Sequence, residues 1–265
     1  MIGVFDSGLG GLCALKELCA LMPEESYLYL ADTAHLPYGK RPRGDICRFS
    51  ARAVSFLREQ GADCVLFACG TASSCAFDFC KRYFAFELYE VVEPSVLAAV
   101  RATQSRRIGI AATEGTIKSG LFPRLFKKYD PACELTQLCC PSLVSLIESG
   151  ECRDTACYDA VRECLSPFAQ SKVDTVILGC THFAFLKSAI STLLPSATII
   201  ESGKEGAKNL FEARNSGIFS AAYASGKVLP KLRLYTTGNA SALSARASSL
   251  LGRKVIAEKI NQDII

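Results

Sequence analysis

The sequence offers few ligands for a metal ion. His35 and His182 are its only histidines, and none of its fourteen cysteines form a Cys-x-x-Cys pair. Structural zinc sites are built from four such ligands at close, regular spacing. A metal site is therefore not expected.

A basic leader and a long apolar run are also missing. The first residues, Met-Ile-Gly-Val-Phe-Asp-Ser-Gly, lead directly into a predicted strand, so we expect neither a signal peptide nor a membrane anchor. Fourteen cysteines in 265 residues are fewer than a disulfide scaffold carries. We expect a cytoplasmic protein in a reducing compartment, with no membrane partner.

No strong excess of charge is present. The formal net charge is +4, and the chain is 49% hydrophobic and 21% charged, which is typical of a globular protein with a large core. Its basic pairs are scattered, so no nucleic-acid partner is expected. The length allows one large domain or two of ordinary size.

Short apolar strands alternate with helical patterns along the whole chain, which predicts an α/β fold with parallel sheets. The clearest predicted strands cover residues 2–5, 27–31, 64–68, 107–112, 134–138, 197–200 and 232–236. A glycine-rich turn, Asp6-Ser7-Gly8-Leu9-Gly10-Gly11, follows the first strand. It matches neither G-x-G-x-x-G nor the Gly-Lys-Ser/Thr motif. It presents a carboxylate, a hydroxyl and backbone N–H groups instead.

Two strands end in a cysteine within the same frame. Asp63-Cys-Val-Leu-Phe-Ala-Cys69 and Asp174-Thr-Val-Ile-Leu-Gly-Cys180 each run from an aspartate through an apolar strand to a cysteine six positions later. Ligands of parallel sheets bind beyond the carboxyl ends of strands, and often between domains. The repeat predicts two similar units that face each other with one thiol each. The alternatives are chance similarity of short strands and cysteines that only pack as small apolar residues.

Two opposed thiols suit a reaction that moves a proton from one face of a carbon to the other. An unperturbed thiol titrates near about pH 8.5, so it can act as acid or base. Neighbouring charges would tune each thiol. The candidates are Asp6 and Asp32 beside Cys69, and His182 and Glu148 beside Cys180.

The motifs as a set resemble the glutamate racemase family over nearly the whole chain. They are Asp6-Ser7-Gly8-Leu-Gly10-Gly11, Pro37-Tyr38-Gly39, Cys69-x-Thr71-Ala72-Ser73, Glu93-Pro94, Ala112-Thr113-x-Gly115-Thr116, Cys140-Pro141-x-Leu143-Val144 with Glu148, Leu178-Gly-Cys180-Thr181-His182, Glu201-Ser-Gly203 and Tyr235-Thr-Thr-Gly238.

The resemblance implies a cofactor-independent racemase that supplies D-glutamate for bacterial peptidoglycan and can form a homodimer. It implies two aspartate/glutamate-racemase-type α/β domains, residues 1–95 plus 206–265 and residues 96–205, with the active site in the cleft between them. The implied catalytic residues are Cys69, Cys180, Asp6, Asp32, Glu148 and His182. The implied substrate-binding residues are Asp6, Ser7, Pro37, Tyr38, Gly39, Gly70, Thr71, Thr113, Thr116, Thr181 and His182.

One position departs from the family pattern. The family motif is Cys-Asn-Thr-Ala, and Gly70 stands here in place of the asparagine. A lost hydrogen bond to a charged substrate group costs about 1.5–3 kcal/mol, and we expect a water molecule to fill the space and recover part of it. Gly70 leaves two alternatives open: racemisation of aspartate or another small amino acid, or a weakly active paralogue that binds an acidic amino acid or a protein.

Overall fold

Two parallel β-sheets with helices on their faces make up the fold. A computed structural model describes residues 1–148, 154–216 and 231–265. The strands of these residues are β1 (Ile2–Asp6), β2 (Tyr27–Ala31), β3 (Cys64–Phe67), β4 (Glu87–Glu90), β5 (Arg107–Ala112), β6 (Glu134–Cys139), β7 (Thr175–Leu178), β8 (Thr198–Glu201), β9 (Leu232–Thr236) and β10 (Ala257–Lys259).

The helices fill the connections between these strands. They are α1 (Leu12–Leu21), α2 (Arg43–Glu59), α3 (Gly70–Tyr83), α4 (Val92–Ala102), α5 (Glu114–Lys118), α6 (Leu121–Tyr129), α7 (Pro141–Glu148), α8 (Asp154–Gln170), α9 (Lys187–Leu193), α10 (Ser202–Asn215) and α11 (Ala240–Leu251). Short 3₁₀ helices cover Thr33–His35, Tyr38–Lys40, Thr181–Leu186 and Gln262–Ile264.

The two sheets repeat one arrangement of strands. The first has the order β10-β9-β2-β1-β3-β4 and the second β6-β5-β7-β8. Ile2 of β1 pairs with Cys64 of β3, and Ile108 of β5 pairs with Thr175 of β7, both in parallel. The two cysteine motifs therefore occupy equivalent places, each at the carboxyl end of a strand beside the first strand of its sheet.

The aspartates that begin the two motifs fix the other end of these strands. Asp63 accepts a hydrogen bond of 2.7 Å from the amino group of Met1. Asp174 accepts one of 2.6 Å from the Thr103 hydroxyl and one of 2.6 Å from the Ser105 N–H. These partners hold the pKa of Asp174 below its usual value against the opposing effect of burial. The aspartates thus have a structural role, at the edge away from the cysteines.

The alternation of strands and helices confirms the predicted α/β class. The strands predicted at 27–31, 107–112 and 232–236 have those bounds. Two strands were missed, β4 and β10. The first begins and ends in glutamate, and the second has one apolar residue in three. Pairing with a neighbouring strand defines both, and no local apolar run marks them.

One apolar core connects the two sheets. Val4 of the first sheet and Ile110 of the second belong to the same buried cluster, together with Val96 of α4 and Leu210 of α10. The domain limits expected at 95/96 and 205/206 fall inside these two helices. The division into two domains follows the division of the strands into two sheets. The residue limits of the domains stay a prediction.

Replacing Phe168 by alanine should lower the free energy of unfolding by about 3–5 kcal/mol. Its ring on α8 is fully buried and lies over Gly109 of β5, so truncation leaves a cavity. Urea unfolding followed by circular dichroism measures the loss. In the control Phe79→Ala, where the ring is 39% exposed, the change should stay within about 1 kcal/mol. Equal losses in the two variants would contradict this packing.

Candidate active site

Cys69 lies at the point where β3 turns into α3. It is the N-cap residue of the helix, and its Sγ accepts a hydrogen bond of 3.5 Å from the Ala72 N–H. The Ser7 hydroxyl, from the turn after β1, lies 3.2 Å from the same sulfur. The side chain is buried. The thiol therefore faces the edge of the sheet where the carboxyl ends of β1 and β3 meet.

Burial and the charge of Asp6 raise the pKa of the Cys69 thiol to about 12, against the opposing hydrogen bonds from Ser7 and Ala72. A low dielectric disfavours the thiolate, and a nearby carboxylate disfavours it further. In the protein without substrate, Cys69 is thus held as a neutral thiol, which can donate a proton.

Cys180 follows β7 and is held in a different electrostatic setting. Its Sγ lies 3.6 Å from Nδ1 of His182, and Nε2 of the same ring makes a short hydrogen bond to Glu148. The cysteine and the histidine are both buried. A protonated imidazole can donate to both neighbours at once, so Cys180, His182 and Glu148 form one chain of hydrogen bonds.

The charges in this chain reinforce one another. Burial acts to lower the pKa of His182, but its hydrogen bonds to Cys180 and Glu148 and the charge of Asp6 outweigh burial and raise it well above 6.5. Burial acts to raise the pKa of Glu148, and the His182 contact outweighs it, so that pKa is lowered. The two cysteines therefore lie in different surroundings, with a carboxylate acting on Cys69 and an imidazole in contact with Cys180.

The glycine-rich turn brings the two sheets together at this site. Thr181 donates to Asp6 with a distance of 3.2 Å, and the Leu9 N–H donates to Glu148 at 3.3 Å. A Cβ on Gly10 would lie 2.5 Å from the Thr181 hydroxyl oxygen and 2.7 Å from the backbone nitrogen of His182. Only glycine fits at this close approach.

Burial raises the pKa of Asp6, although His182 and the backbone N–H groups of Gly8 and Gly11 oppose the shift.

Three threonines form a second bridge between the sheets. The hydroxyl of Thr71 at the start of α3 lies 2.8 Å from that of Thr113, which lies 3.0 Å from that of Thr116. A Cβ on Gly39 would lie 2.8 Å from the Thr113 Cβ. Four of the predicted substrate-binding residues, two from each sheet, thus meet at one place.

Asp32 belongs to a separate cluster. Its buried carboxylate accepts hydrogen bonds of 2.6 Å from the Tyr38 hydroxyl and 2.8 Å from the Thr237 hydroxyl, and it pairs with His35 at 2.8 Å. Thr237 was not among the predicted site residues, although the Tyr235-Thr-Thr-Gly238 motif contains it. Burial and Asp32 raise the pKa of Tyr38 well above its ordinary value. Asp32 therefore fixes the turn that carries Tyr38, and its catalytic role stays a prediction.

Pro37 precedes this turn and is exposed. Its carbonyl accepts a hydrogen bond of 3.3 Å from the Lys40 N–H, and its part in substrate binding stays a prediction.

The expectation that water fills the space beside Gly70 is wrong. A Cβ on this residue would lie against the carbonyl oxygen of Gly179, well inside the 3.0 Å limit of real Cβ contacts. Backbone of the second sheet occupies the space. Residue 179 was not among the predicted site residues, because nothing local in the sequence signals the contact.

The pKa of His182 can be measured directly because the chain has only two histidines. In NMR titrations of the ring C2–H, with His35→Asn to assign the signals, His182 should titrate well above pH 6.5. In Glu148→Gln its pKa should fall, because the neighbouring negative charge is gone.

The matched control is Glu205→Gln, since this carboxylate pairs with Lys208 on α10 and should leave His182 unchanged. A wild-type His182 that titrates at or below 6.5 would contradict the charged chain.

Comparison with known proteins places this geometry in a family. The chain matches the Asp/Glu/Hydantoin racemase family over residues 13–210. It is 35% identical to a glutamate racemase of Desulforudis audaxviator over 96% of this chain and 94% of that protein.

Two solved structures are similar over nearly their full length. One is a glutamate racemase isoform from Bacillus anthracis, with a TM-score of 0.91 and 30% identity over 98% of this chain and 97% of that one. The other is the glutamate racemase of Francisella tularensis in complex with D-glutamate, with a TM-score of 0.88 and 28% identity over 100% and 98% of the two chains. The chain belongs to the Asp/Glu/Hydantoin racemase family and, within it, to the glutamate racemases.

Proposed function

We propose that this protein interconverts L- and D-glutamate without a cofactor: one of Cys69 and Cys180 removes the α-proton, and the other delivers a proton to the opposite face of the same carbon. One observation carries the proposal: two buried thiols stand at equivalent strand ends of two sheets, and the Thr181–Asp6 hydrogen bond joins those ends. A single base could remove and return a proton on one face only, whereas inversion needs a donor on the other face.

Inversion at one carbon gives the two thiols complementary roles. In one direction of the reaction, Cys180 acts as the base and takes the α-proton of the enantiomer that faces it. The carbanion then takes the proton of the neutral Cys69 thiol on its opposite face. Cys180 ends as a thiol and Cys69 as a thiolate, so the enzyme is left ready for the reverse reaction.

Basic residues beside the cleft support an acidic substrate. A cavity of about 350 Å³ is lined by Gly39, by the cations Lys40, Arg41, Arg43 and Lys118, and by one carboxylate, Glu114. Net positive charge raises the local concentration of an anion. The similar racemase of Francisella tularensis holds D-glutamate, which supports glutamate over aspartate.

The cellular role follows from the product. We propose that the D-glutamate enters bacterial peptidoglycan and that the enzyme works in the cytoplasm, where two copies can form a homodimer. Among the described residues, twelve cysteines are free thiols and Cys157 is disulfide-bonded. No helix in the described ranges is long and apolar enough to cross a membrane. Phe79 and Tyr83 on α3 are exposed and stacked, which offers apolar surface for a second copy.

Purified protein should convert either enantiomer of glutamate to the racemic mixture. Circular dichroism of the glutamate measures the conversion. In deuterated water the product should carry deuterium at Cα, because the proton it receives comes from a thiol that exchanges with solvent. Aspartate and other small amino acids serve as comparison substrates. Faster turnover of aspartate would overturn the assignment to glutamate.

Cys69→Ala and Cys180→Ala should each abolish racemisation, since either change removes the base or the acid from one face. Cys139→Ala is the control: this thiol is exposed, so the variant should keep wild-type activity. A fully active Cys69→Ala or Cys180→Ala enzyme would end the two-thiol mechanism.

A further inference from the structure

Gly70 and Gly179 join the two cysteines through the backbone. Gly70 directly follows Cys69, and Gly179 directly precedes Cys180. The Gly179 carbonyl oxygen lies against the α-carbon of Gly70, where any side chain would overlap it. The contact is therefore one residue away from each thiol, on opposite sides of the cleft.

Gly179 cannot withdraw from this contact locally. Its N–H donates to the Ala111 carbonyl at 2.8 Å. A Cβ on Gly179 would lie 3.1 Å from Ala112 and 3.2 Å from the Phe122 ring, both fully buried. Packing and hydrogen bonding thus hold the carbonyl in place on the second sheet.

The Gly70 side is equally fixed. The Ser73 N–H donates to the Cys69 carbonyl at 2.9 Å, and the Ser73 hydroxyl donates to the Phe67 carbonyl at 3.0 Å. These bonds tie the first turn of α3 to the end of β3. A side chain at residue 70 can therefore be accommodated only when the two sheets move apart as units.

The geometry points to Gly70 as a positioning residue that sets the distance between the two thiols. The absence of a Cβ lets the backbone of the second sheet reach the start of α3, which brings Cys180 toward Cys69. This inference rests on the proposed function, because the distance matters only when a proton is removed by one thiol and delivered by the other.

The distance between the two thiols decides whether proton removal leads to inversion. A thiolate that removes the α-proton leaves a carbanion, which is inverted only when the opposite thiol can donate a proton. If that thiol stands too far away, the first thiol exchanges its proton with solvent and returns a deuteron to the original face. Proton removal then continues while inversion fails.

Gly70→Ala and Gly70→Asn are the test, assayed with L- and D-glutamate in deuterated water. A displacement on the order of 1 Å can cost about 100-fold in rate, so we expect a fall of that order in kcat with a smaller change in KM. NMR measures two amounts: the deuterated starting enantiomer that is recovered, and the inverted product. The ratio of the first to the second should rise severalfold. This ratio does not depend on the fraction of enzyme that is folded.

Gly44→Ala is the matched control, because a Cβ there meets no atom within 4 Å; its kcat and deuterium ratio should equal those of the wild type. Wild-type kcat in Gly70→Ala, or faster racemisation in Gly70→Asn, would overturn the positioning role. So would a loss of kcat with an unchanged deuterium ratio. A wild-type enzyme that neither racemises nor exchanges glutamate would overturn the proposed function itself.

Discussion

A buried imidazolium between a thiol and a carboxylate is the interaction on which the site depends. His182 has almost no contact with solvent, so its charge is stable only because Cys180 and Glu148 flank it. Glu148 comes from α7 and also accepts a hydrogen bond from the turn after β1. The carboxylate that balances the His182 charge thus also attaches the second sheet to the first, and the candidate site and the contact between the sheets share one set of bonds.

The first thiol shows the opposite use of burial. Among the described residues, no cation is hydrogen-bonded to Cys69. Asp6 is the carboxylate whose charge raises the pKa of this thiol. Desolvation then keeps the proton on this sulfur. Two equivalent strand ends therefore place their thiols in different surroundings, because Asp6 and Ser7 act on one and His182 contacts the other.

Much of this could be predicted from the sequence. The places of Cys69 and Cys180 follow from their apolar strands, since the carboxyl ends of parallel strands meet at one edge of a sheet. Gly70 was misjudged because its surroundings depend on how closely two sheets approach, and residues more than a hundred positions apart decide that distance. Thr237 was missed for a similar reason: its contact with Asp32 exists only because β9 pairs with β2.

The pairing of β9 with β2 also affects how the protein folds during its synthesis. Tyr27–Ala31 is a fully buried strand, yet one of its edges pairs with residues 232–236. The strands of the second sheet all lie between, so on the ribosome they emerge before the first sheet can close. An open apolar edge is a template for aggregation. The nascent protein therefore carries this hazard through most of its synthesis, until β9 pairs with β2.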